Sequence, residues 1–168
     1  QDPYRSLNPR RTVGQSIVEG PMNFGLSGTE AQSRAENLMR VVGLAPEALT
    51  RFPHQFSGGQ RQRICIARAL AMEPRVLIAD EAVSALDVSV QAQVLRLLQD
   101  VRERYDLAML FITHDLRVAA QICDRIMVMQ RGVVVEEGRT SEVYANPHHP
   151  YTRSLLNAAP GRETNFAQ

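Results

Sequence analysis

The sequence contains no lysine, because all 19 residues counted as Lys+Arg are arginines. A Gly-x-x-x-x-Gly-Lys-Ser/Thr loop, whose lysine holds nucleotide phosphates, is therefore absent from these 168 residues. No apolar run exceeds six residues, which is too short to span a bilayer as a helix. Neither a signal peptide nor an initiator Met opens the sequence, so Gln1-Asp2-Pro3 is expected to stand within a domain rather than at its start.

The composition is also poor in net charge and in cysteine. A net charge of +1 gives no reason to expect a nucleic acid as partner. The two cysteines, Cys65 and Cys123, lie within apolar helical patterns, which is typical of reduced, buried thiols in a cytosolic protein. A hydrophobic content of 44% in 168 residues suffices for one domain with its own core.

Hydrophobic spacing predicts a mostly helical first part. Residues 1–28 carry several prolines and glycines and are predicted to be loop with little regular structure. Thr29-Glu30-Ala31-Gln32 has the form of a capping box, at the start of a helix that Gly43 ends. Pro46 suits the first turn of a short helix.

The second part alternates strands and helices, so the sequence predicts an α/β fold. Val76–Ala79 is continuously apolar, as expected in a parallel sheet covered on both faces, and Met109–Thr113 is predicted to be a second buried strand. A periodic helix over residues 89–104 joins them, which predicts that the two strands are parallel. The other predicted elements are a helix near 115–122, a hairpin of Ile126–Met129 and Val133–Val135 turning at Arg131-Gly132, and a last short helix in the tail.

The run Ser57-Gly58-Gly59-Gln60 has the form of a Ser-x-x-Gln capping box that opens a helix. The hydroxyl of Ser57 and the amides of Gly58 and Gly59 would lie at the positive end of that helix, which suits a phosphate. The glycines also let a ligand approach the backbone closely. We therefore predict that these four residues bind a nucleotide.

A second set of candidates follows the two strands. Asp80 and Glu81 end the first strand and His114 follows the second, and parallel strands bring those ends to one edge of the sheet, where ligands bind. Asp80 suits Mg²⁺, held in part through water. Glu81 is placed to act as a general base on a water, and His114 to hydrogen-bond a γ-phosphate and orient that water. This set predicts nucleotide hydrolysis.

Each motif alone has a simpler interpretation. A Ser-Gly-Gly turn is commonly only a helix cap, an Asp-Glu pair after a strand is often a solvated turn, and a histidine at a strand end is often structural. The order and spacing of all three in one chain favour hydrolysis.

Together the motifs resemble those of the ATP-binding subunits of ABC transporters. The matching segments are the signature Phe56–Gln60, the Walker B strand Arg75–Asp80 with Glu81 as catalytic glutamate, the D-loop Ser84–Asp87, the switch histidine His114 and the Q-loop glutamine Gln1. The resemblance implies part of an ABC-type P-loop NTPase domain, made of the helical subdomain and the C-terminal part of the RecA-like parallel-sheet core.

Two further runs, Gln1–Arg10 and His149–Leu156, resemble the ATP-binding subunits of di- and oligopeptide importers. On this basis residues 1–72 are expected to hold the Q-loop and helical subdomain, ending in the signature helix. Residues 73–140 would form part of the RecA-like core, and residues 141–168 a tail of peptide-importer type.

The resemblance also implies the molecular partners. The subunit would bind ATP and Mg²⁺. It would pair head to tail with a second ATP-binding subunit, identical or different, and would bind transmembrane permease subunits at the cytoplasmic face of the inner membrane. Ser57–Gln60 would then act on the partner's ATP, Asp87 would contribute to nucleotide binding, and Gln1 would sense Mg²⁺ and nucleotide. The process energised would be import of peptides or related small solutes.

Two departures from the family pattern stand out. Ala82-Val83 replaces the usual Pro-Thr after the catalytic glutamate, with little effect expected on the chemistry. Some relatives hold an iron–sulfur cluster through tail cysteines, but residues 145–168 contain no cysteine, so none is expected here. The His148-His149 pair is interpreted as solvated rather than metal-binding.

Without a phosphate-binding lysine, the isolated chain is expected neither to bind ATP tightly nor to hydrolyse it. Two alternatives remain, a non-transport ABC ATPase and a catalytically silent truncated remnant. The near-neutral charge, the absence of coiled-coil heptads and the peptide-importer tail argue against the first of these.

Overall fold

The computed structural model describes the backbone of residues 3–158 and the side chains of residues 5–158. The chain divides into two compact units, whose boundary in sequence lies between Ile112 and Thr113. The first unit contains, in order, α1 (Pro3–Ser6), α2 (Val13–Asn23), α3 (Gly28–Val41), two 3-10 helices (Pro46–Thr50 and Pro53–Gln55), α4 (Gly58–Leu70), β1 (Val76–Asp80), α5 (Val88–Arg104) and β2 (Ala108–Ile112).

Helix α2 shows that the prediction of loop over residues 1–28 is wrong. A capping box starts this helix, since Thr12 Oγ1 accepts from Gln15 N at 3.2 Å and Gln15 Oε1 accepts from Thr12 N at 2.9 Å. Its buried apolar side chains recur every four residues, at Val13, Ile17 and Pro21. A proline near the end of a helix and two glycines obscured this pattern in the sequence.

Helix α3 starts at a different cap from the predicted one. Ser27 rather than Thr29 is the N-cap, because its Oγ accepts from Glu30 N at 3.2 Å and Glu30 Oε2 accepts from Ser27 N at 3.1 Å. The Ser27 hydroxyl, which donates to Glu30 Oε2 at 2.6 Å, and then the Ser27 amide lower the pKa of Glu30 below its ordinary value. The predicted end of the helix is confirmed, since Gly43 follows it with a φ of +71°.

Strands β1 and β2 pair in parallel, as predicted, with Val76 opposite Ala108 and Asp80 opposite Ile112. The prediction that both faces of this sheet are covered is wrong for the residues that the structure describes. Leu77 and Ala79 are buried on one face, whereas side chains on the other are strongly exposed, among them Val76 at 56% and Ile78 at 64%. The packing of the first unit therefore covers one face of this sheet.

The second unit contains α6 (Leu116–Ile122), β3 (Arg125–Gln130), β4 (Val133–Arg139), α7 (Thr140–Ala145) and α8 (Pro150–Ala158). β3 and β4 form the predicted hairpin, and its two turn residues, Arg131 and Gly132, have φ values of 50° and 79°. Positive φ at both positions is what a two-residue turn between right-twisted strands requires. No helix in residues 3–158 combines the length and apolarity needed to cross a membrane.

Candidate functional site

The Ser57–Gln60 turn starts helix α4 with the predicted capping box. Ser57 Oγ accepts from Gln60 N at 3.3 Å, and Gln60 Oε1 accepts from Ser57 N at 3.0 Å. Both side chains are exposed, whereas Gly59 is buried. The capping box fixes the backbone of the turn and keeps its polar side open to solvent, as a phosphate-binding turn requires.

The carboxyl end of β1 carries Asp80 and Glu81. Asp80 is half-buried and lies opposite Ile112, the last residue of β2, so the two strands end at the same level of the sheet. Glu81 is exposed and its N donates to Ile112 O at 2.9 Å, which extends the strand pairing by one residue.

The backbone of Glu81 is strained. Its φ of +48° lies in the left-handed region, which residues with a side chain rarely adopt. The conformation is fixed by Ser84, whose N and Oγ donate to Glu81 O at 3.2 and 3.0 Å. Such strain, when held by several hydrogen bonds, is found at sites where a side chain must be aimed.

The two residues that depart from the family pattern are internal. Ala82 is 9% exposed and Val83 is 3% exposed, so the Ala-Val pair fills apolar positions beneath the loop. Val83 O accepts from Leu86 N at 3.2 Å. The loop thus turns over an apolar base, and the expectation of little effect on the chemistry stays a prediction.

Asp87 closes this loop and starts α5. Its Oδ1 accepts from Val90 N at 3.3 Å and from Ser89 Oγ at 3.0 Å. The aspartate is therefore the N-cap of α5, a role that sequence reasoning did not assign to it. Its carboxylate is exposed and stands in the same unit as the Ser57–Gln60 turn.

His114 is exposed and lies in the second unit, two residues after β2. The hydrogen bond from Asp115 N to Thr113 Oγ1, at 3.0 Å, spans this histidine. The carboxylate of Asp115 accepts from Arg117 N at 2.9 Å and from the Arg117 guanidinium at 3.2 and 3.0 Å. The hydrogen bonds of the Arg117 guanidinium lower the pKa of Asp115, and the loop is held as a charged helix cap.

Tyr144 of α7 supports the same loop from within the second unit. Its hydroxyl donates to Leu116 O at the start of α6. Burial raises the pKa of Tyr144 to about 12, so the phenol remains a hydrogen-bond donor at neutral pH. Sequence reasoning missed both Tyr144 and Asp115, although an Asp directly before a helix is a recognisable N-cap signal.

The structure thus groups most of the predicted residues within one unit. Asp80, Glu81, Asp87 and the Ser57–Gln60 turn all belong to the first unit, and His114 belongs to the second. The approach of His114 to the two carboxylates stays a prediction. Gln1 lies outside the described residues.

The residues at the end of β1 fit Mg²⁺ by the chemistry of their donors. Asp80 and Glu81 offer carboxylate oxygens at a sheet edge, and Mg²⁺ is commonly held by one or two carboxylates together with water and phosphate oxygens. Among the described residues there is no group of three or more His, Cys, Asp or Glu side chains that could enclose a metal ion. Asp80 could supply one carboxylate ligand to such an ion.

The tail is attached to the hairpin by one carboxylate. Glu136 of β4 accepts from His148 N at 2.7 Å and from His149 N at 3.1 Å. His149 Nδ1 in turn accepts from Tyr151 N at 3.2 Å, and His149 is half-buried rather than fully solvated. The adjacent histidines therefore contribute their backbone, and in one case the ring, to the start of α8.

Replacing Glu136 by Gln is expected to loosen this attachment, because the two amides lose a charged acceptor. We expect the His148 and His149 amides to exchange with solvent roughly 3- to 10-fold faster, as measured by hydrogen exchange. Glu137→Gln is the matched control, since Glu137 is the exposed neighbour on the same strand. Equal exchange in the two variants would show that Glu136 does not hold the tail.

The attachment should also depend on pH. Partial burial raises the pKa of Glu136, but the nearby Thr152 hydroxyl and the amides of His148 and His149 favour the ionised form, and the net pKa lies below 4.5. The buried Thr152 Oγ1 stands near Glu136 without a well-formed hydrogen bond among the described residues. The stabilising contribution is therefore fully present above pH 4.5 and is lost as the pH falls through the native pKa.

We expect the difference in the His148 and His149 amide chemical shifts between the wild type and Glu136→Gln to stay constant from pH 6 to about 4.5 and to change below that value. The variant is the reference because it lacks the ionisable carboxyl. A midpoint above 4.5 would contradict the proposed stabilisation of the carboxylate.

Two family models match the two ends of the chain, and individual relatives align with nearly all of it. Residues 1–84 match the family described as "ABC transporter", and residues 135–165 match the "Oligopeptide/dipeptide transporter, C-terminal region". The glutathione import ATP-binding protein GsiA of Escherichia coli O6:H1 is 55% identical over 164 residues, and that of Shigella flexneri is 54% identical over the same length.

These alignments cover 97% of the chain and 26% of each relative, so the chain spans about a quarter of the curated proteins it matches. Among solved structures, cbiO1 from Clostridium perfringens, described as part of the ABC transporter complex cbiONQ, superimposes with a TM-score of 0.77 at 31% sequence identity. That match covers 86% of this chain and 57% of cbiO1.

Proposed function

Because the chain belongs to the ABC transporter family, we propose that it is part of an ATP-binding subunit that hydrolyses ATP to energise solute import. The observation that supports this most directly is the pairing of a signature turn with a strand that ends in a constrained Asp80-Glu81 pair. Both features stand in one unit, in the order that such a subunit requires.

Each residue has a proposed role in hydrolysis. Glu81 accepts a proton from the attacking water, and His114 hydrogen-bonds the γ-phosphate and orients that water. Asp80 holds Mg²⁺, which neutralises charge on the phosphate oxygens when it is bound with ATP. Gln1 contributes to the same Mg²⁺ and nucleotide contacts.

The signature turn acts on a different nucleotide. Ser57, the glycine amides and Gln60 bind the ATP of a second ATP-binding subunit that faces this one head to tail, and Asp87 lies at the same interface. The helix N-terminus then stabilises charge that develops on that ATP during hydrolysis. Closure of the two subunits completes both sites.

The tail and the named relatives support the proposed substrate. Residues 135–165 match the oligopeptide and dipeptide transporter tail, and the relatives named above are glutathione importers, so peptides or related small solutes are the proposed cargo. The subunit would bind transmembrane permease subunits at the cytoplasmic face of the inner membrane. Within it, residues 1–72 form the Q-loop and helical subdomain, 73–140 part of the RecA-like core, and 141–168 the tail.

Uptake of labelled dipeptides and glutathione by cells that lack the gene tests the proposal. Wild-type protein supplied in trans should restore uptake, and the Glu81→Gln variant produced at the same level should not. Restoration by the variant would refute the motor function, and unchanged uptake in the deletion strain would refute the choice of cargo.

A further inference from the structure

The two helices that carry the signature turn and the D-loop touch at a glycine. A methyl group added at Gly59 would lie 2.3 Å from Cγ1 of Val90, far inside van der Waals contact. Gly59 is buried at the start of α4, and Val90 is half-buried in the first turn of α5. Gly59 is therefore required for the packing of α4 against α5, independently of any phosphate.

A second contact lies one turn further along both helices. Arg63 of α4 donates from Nη2 to Gln93 Oε1 of α5 at 3.0 Å, and from Nη1 to Val42 O at the end of α3, also at 3.0 Å. Residue spacings of four on α4 and three on α5 place both contacts on one face of each helix. The two contacts fix the signature helix against the D-loop helix.

The Gly59–Val90 contact closes a continuous path between two functional loops. Glu81 O is held by Ser84, and the D-loop ends at Asp87, which accepts from Val90 N at 3.3 Å. The side chain of Val90 then reaches Gly59, one residue from Gln60 in the capping box. Val is stiff at χ1, so a shift of the α5 backbone is transmitted to the glycine rather than absorbed by a rotamer change.

We propose that Val90 is a positioning residue that couples the D-loop and catalytic loop of this chain to its signature turn through the Gly59 contact. The inference rests on the proposed function, in which Glu81 acts on the ATP of this subunit and Ser57–Gln60 act on that of its partner. The contact then links the two ATP sites of the closed pair, so that a loop movement at one site shifts the signature at the other.

The test is suppression of one variant by another in the full-length subunit, assayed by steady-state ATP turnover. Gly59→Ala is expected to lower turnover roughly 10- to 100-fold, because overpacking displaces the signature turn. Adding Val90→Ala removes the methyl groups that the new side chain meets and should restore most of the lost turnover. Val88→Ala is the matched control second change, since Val88 is 83% exposed on the same helix and should restore nothing.

The outcomes separate this inference from the function on which it rests. Absence of turnover in the wild-type protein would refute the proposed ATPase. Turnover in the wild type, loss in Gly59→Ala and no recovery in the double variant would show that Gly59 serves only the approach of the phosphate, which overturns the coupling.

The single Val90 variants keep the inference testable if Gly59→Ala does not fold. Val90→Ala should lower kcat about 3- to 10-fold with little change in the KM for ATP, because the site forms but is positioned less often. Val90→Thr keeps the branched shape and should retain most of kcat. An unchanged kcat in Val90→Ala would overturn the proposal. So would a result in which Val90→Ala and Val90→Thr lower kcat by the same factor and lower thermal stability by the same amount.

Discussion

Replacing Glu81 by Gln is expected to lower ATP turnover of the full-length subunit by about 10²- to 10⁴-fold, the contribution typical of a general base. Gln keeps the size and the hydrogen-bonding capacity of the side chain but cannot accept a proton at neutral pH. Binding of nucleotide should therefore be preserved, and turnover and equilibrium ATP binding are measured together.

Glu73→Gln is the matched control for this change. Glu73 is also an exposed glutamate with a positive φ, 49°, and it stands before β1 in the same unit, where it pairs with Arg34 at 3.0 Å. Turnover in this variant should match the wild type. A similar loss in both variants, or a loss of ATP binding in Glu81→Gln, would contradict the assigned role.

Replacing His114 by Ala is expected to lower turnover by about 100-fold or more, the loss found when a positioned donor to a developing negative charge is removed. The loop should keep its shape, because hydrogen bonds of Asp115, Arg117 and Tyr144 hold it. The effect should therefore fall on kcat, with thermal stability unchanged.

His148→Ala serves as the control, since His148 is an exposed histidine in the same unit whose backbone makes the hydrogen bonds to Glu136 and Arg153. Wild-type turnover in His114→Ala would remove His114 from the mechanism. Equal losses in the two variants would indicate a general effect on the second unit.

Features that depend on neighbouring residues in sequence could be predicted. The Ser57–Gln60 capping box, the Arg131-Gly132 turn and the glycine that ends α3 each follow from a short pattern with one favourable geometry. The parallel pairing of β1 and β2 also followed, because a helix over residues 88–104 joins them.

Local sequence patterns did not predict the structure correctly where two patterns in the same segment indicated different structures. Ser27-x-x-Glu30 and Thr29-x-x-Gln32 are equally good capping boxes on paper, and the ionised carboxylate of Glu30 gives the first the stronger acceptor. Helix α2 was missed because Pro21 and the glycines of that segment outweighed a four-residue apolar spacing. Composition was the weaker signal there.

Contacts between distant segments carried no sequence signal. The hydrogen bonds of Glu136 to the tail join residues 12 and 13 positions apart. Gly59 and Val90 are separated in sequence by most of α4, by β1 and by the loop that follows β1. The positive φ of Glu81 likewise depends in part on the hydrogen bond from its N to Ile112 O, which joins two different strands.

In the proposed function this chain completes two different ATP sites, one with Glu81 and one with its signature turn. The most direct test uses pairs made of two differently tagged copies of the full-length subunit, purified through both tags. In one preparation Glu81→Gln is on one copy and Ser57→Arg is on the other. In the second preparation both substitutions are on the same copy and the other copy is wild type. Separate copies should retain ATP turnover, because one head-to-tail site keeps both residues, whereas the copy that carries both changes should inactivate the pair. Turnover only when both changes stand on the same copy would contradict the account, since the signature and Glu81 would then act on the same ATP within one chain.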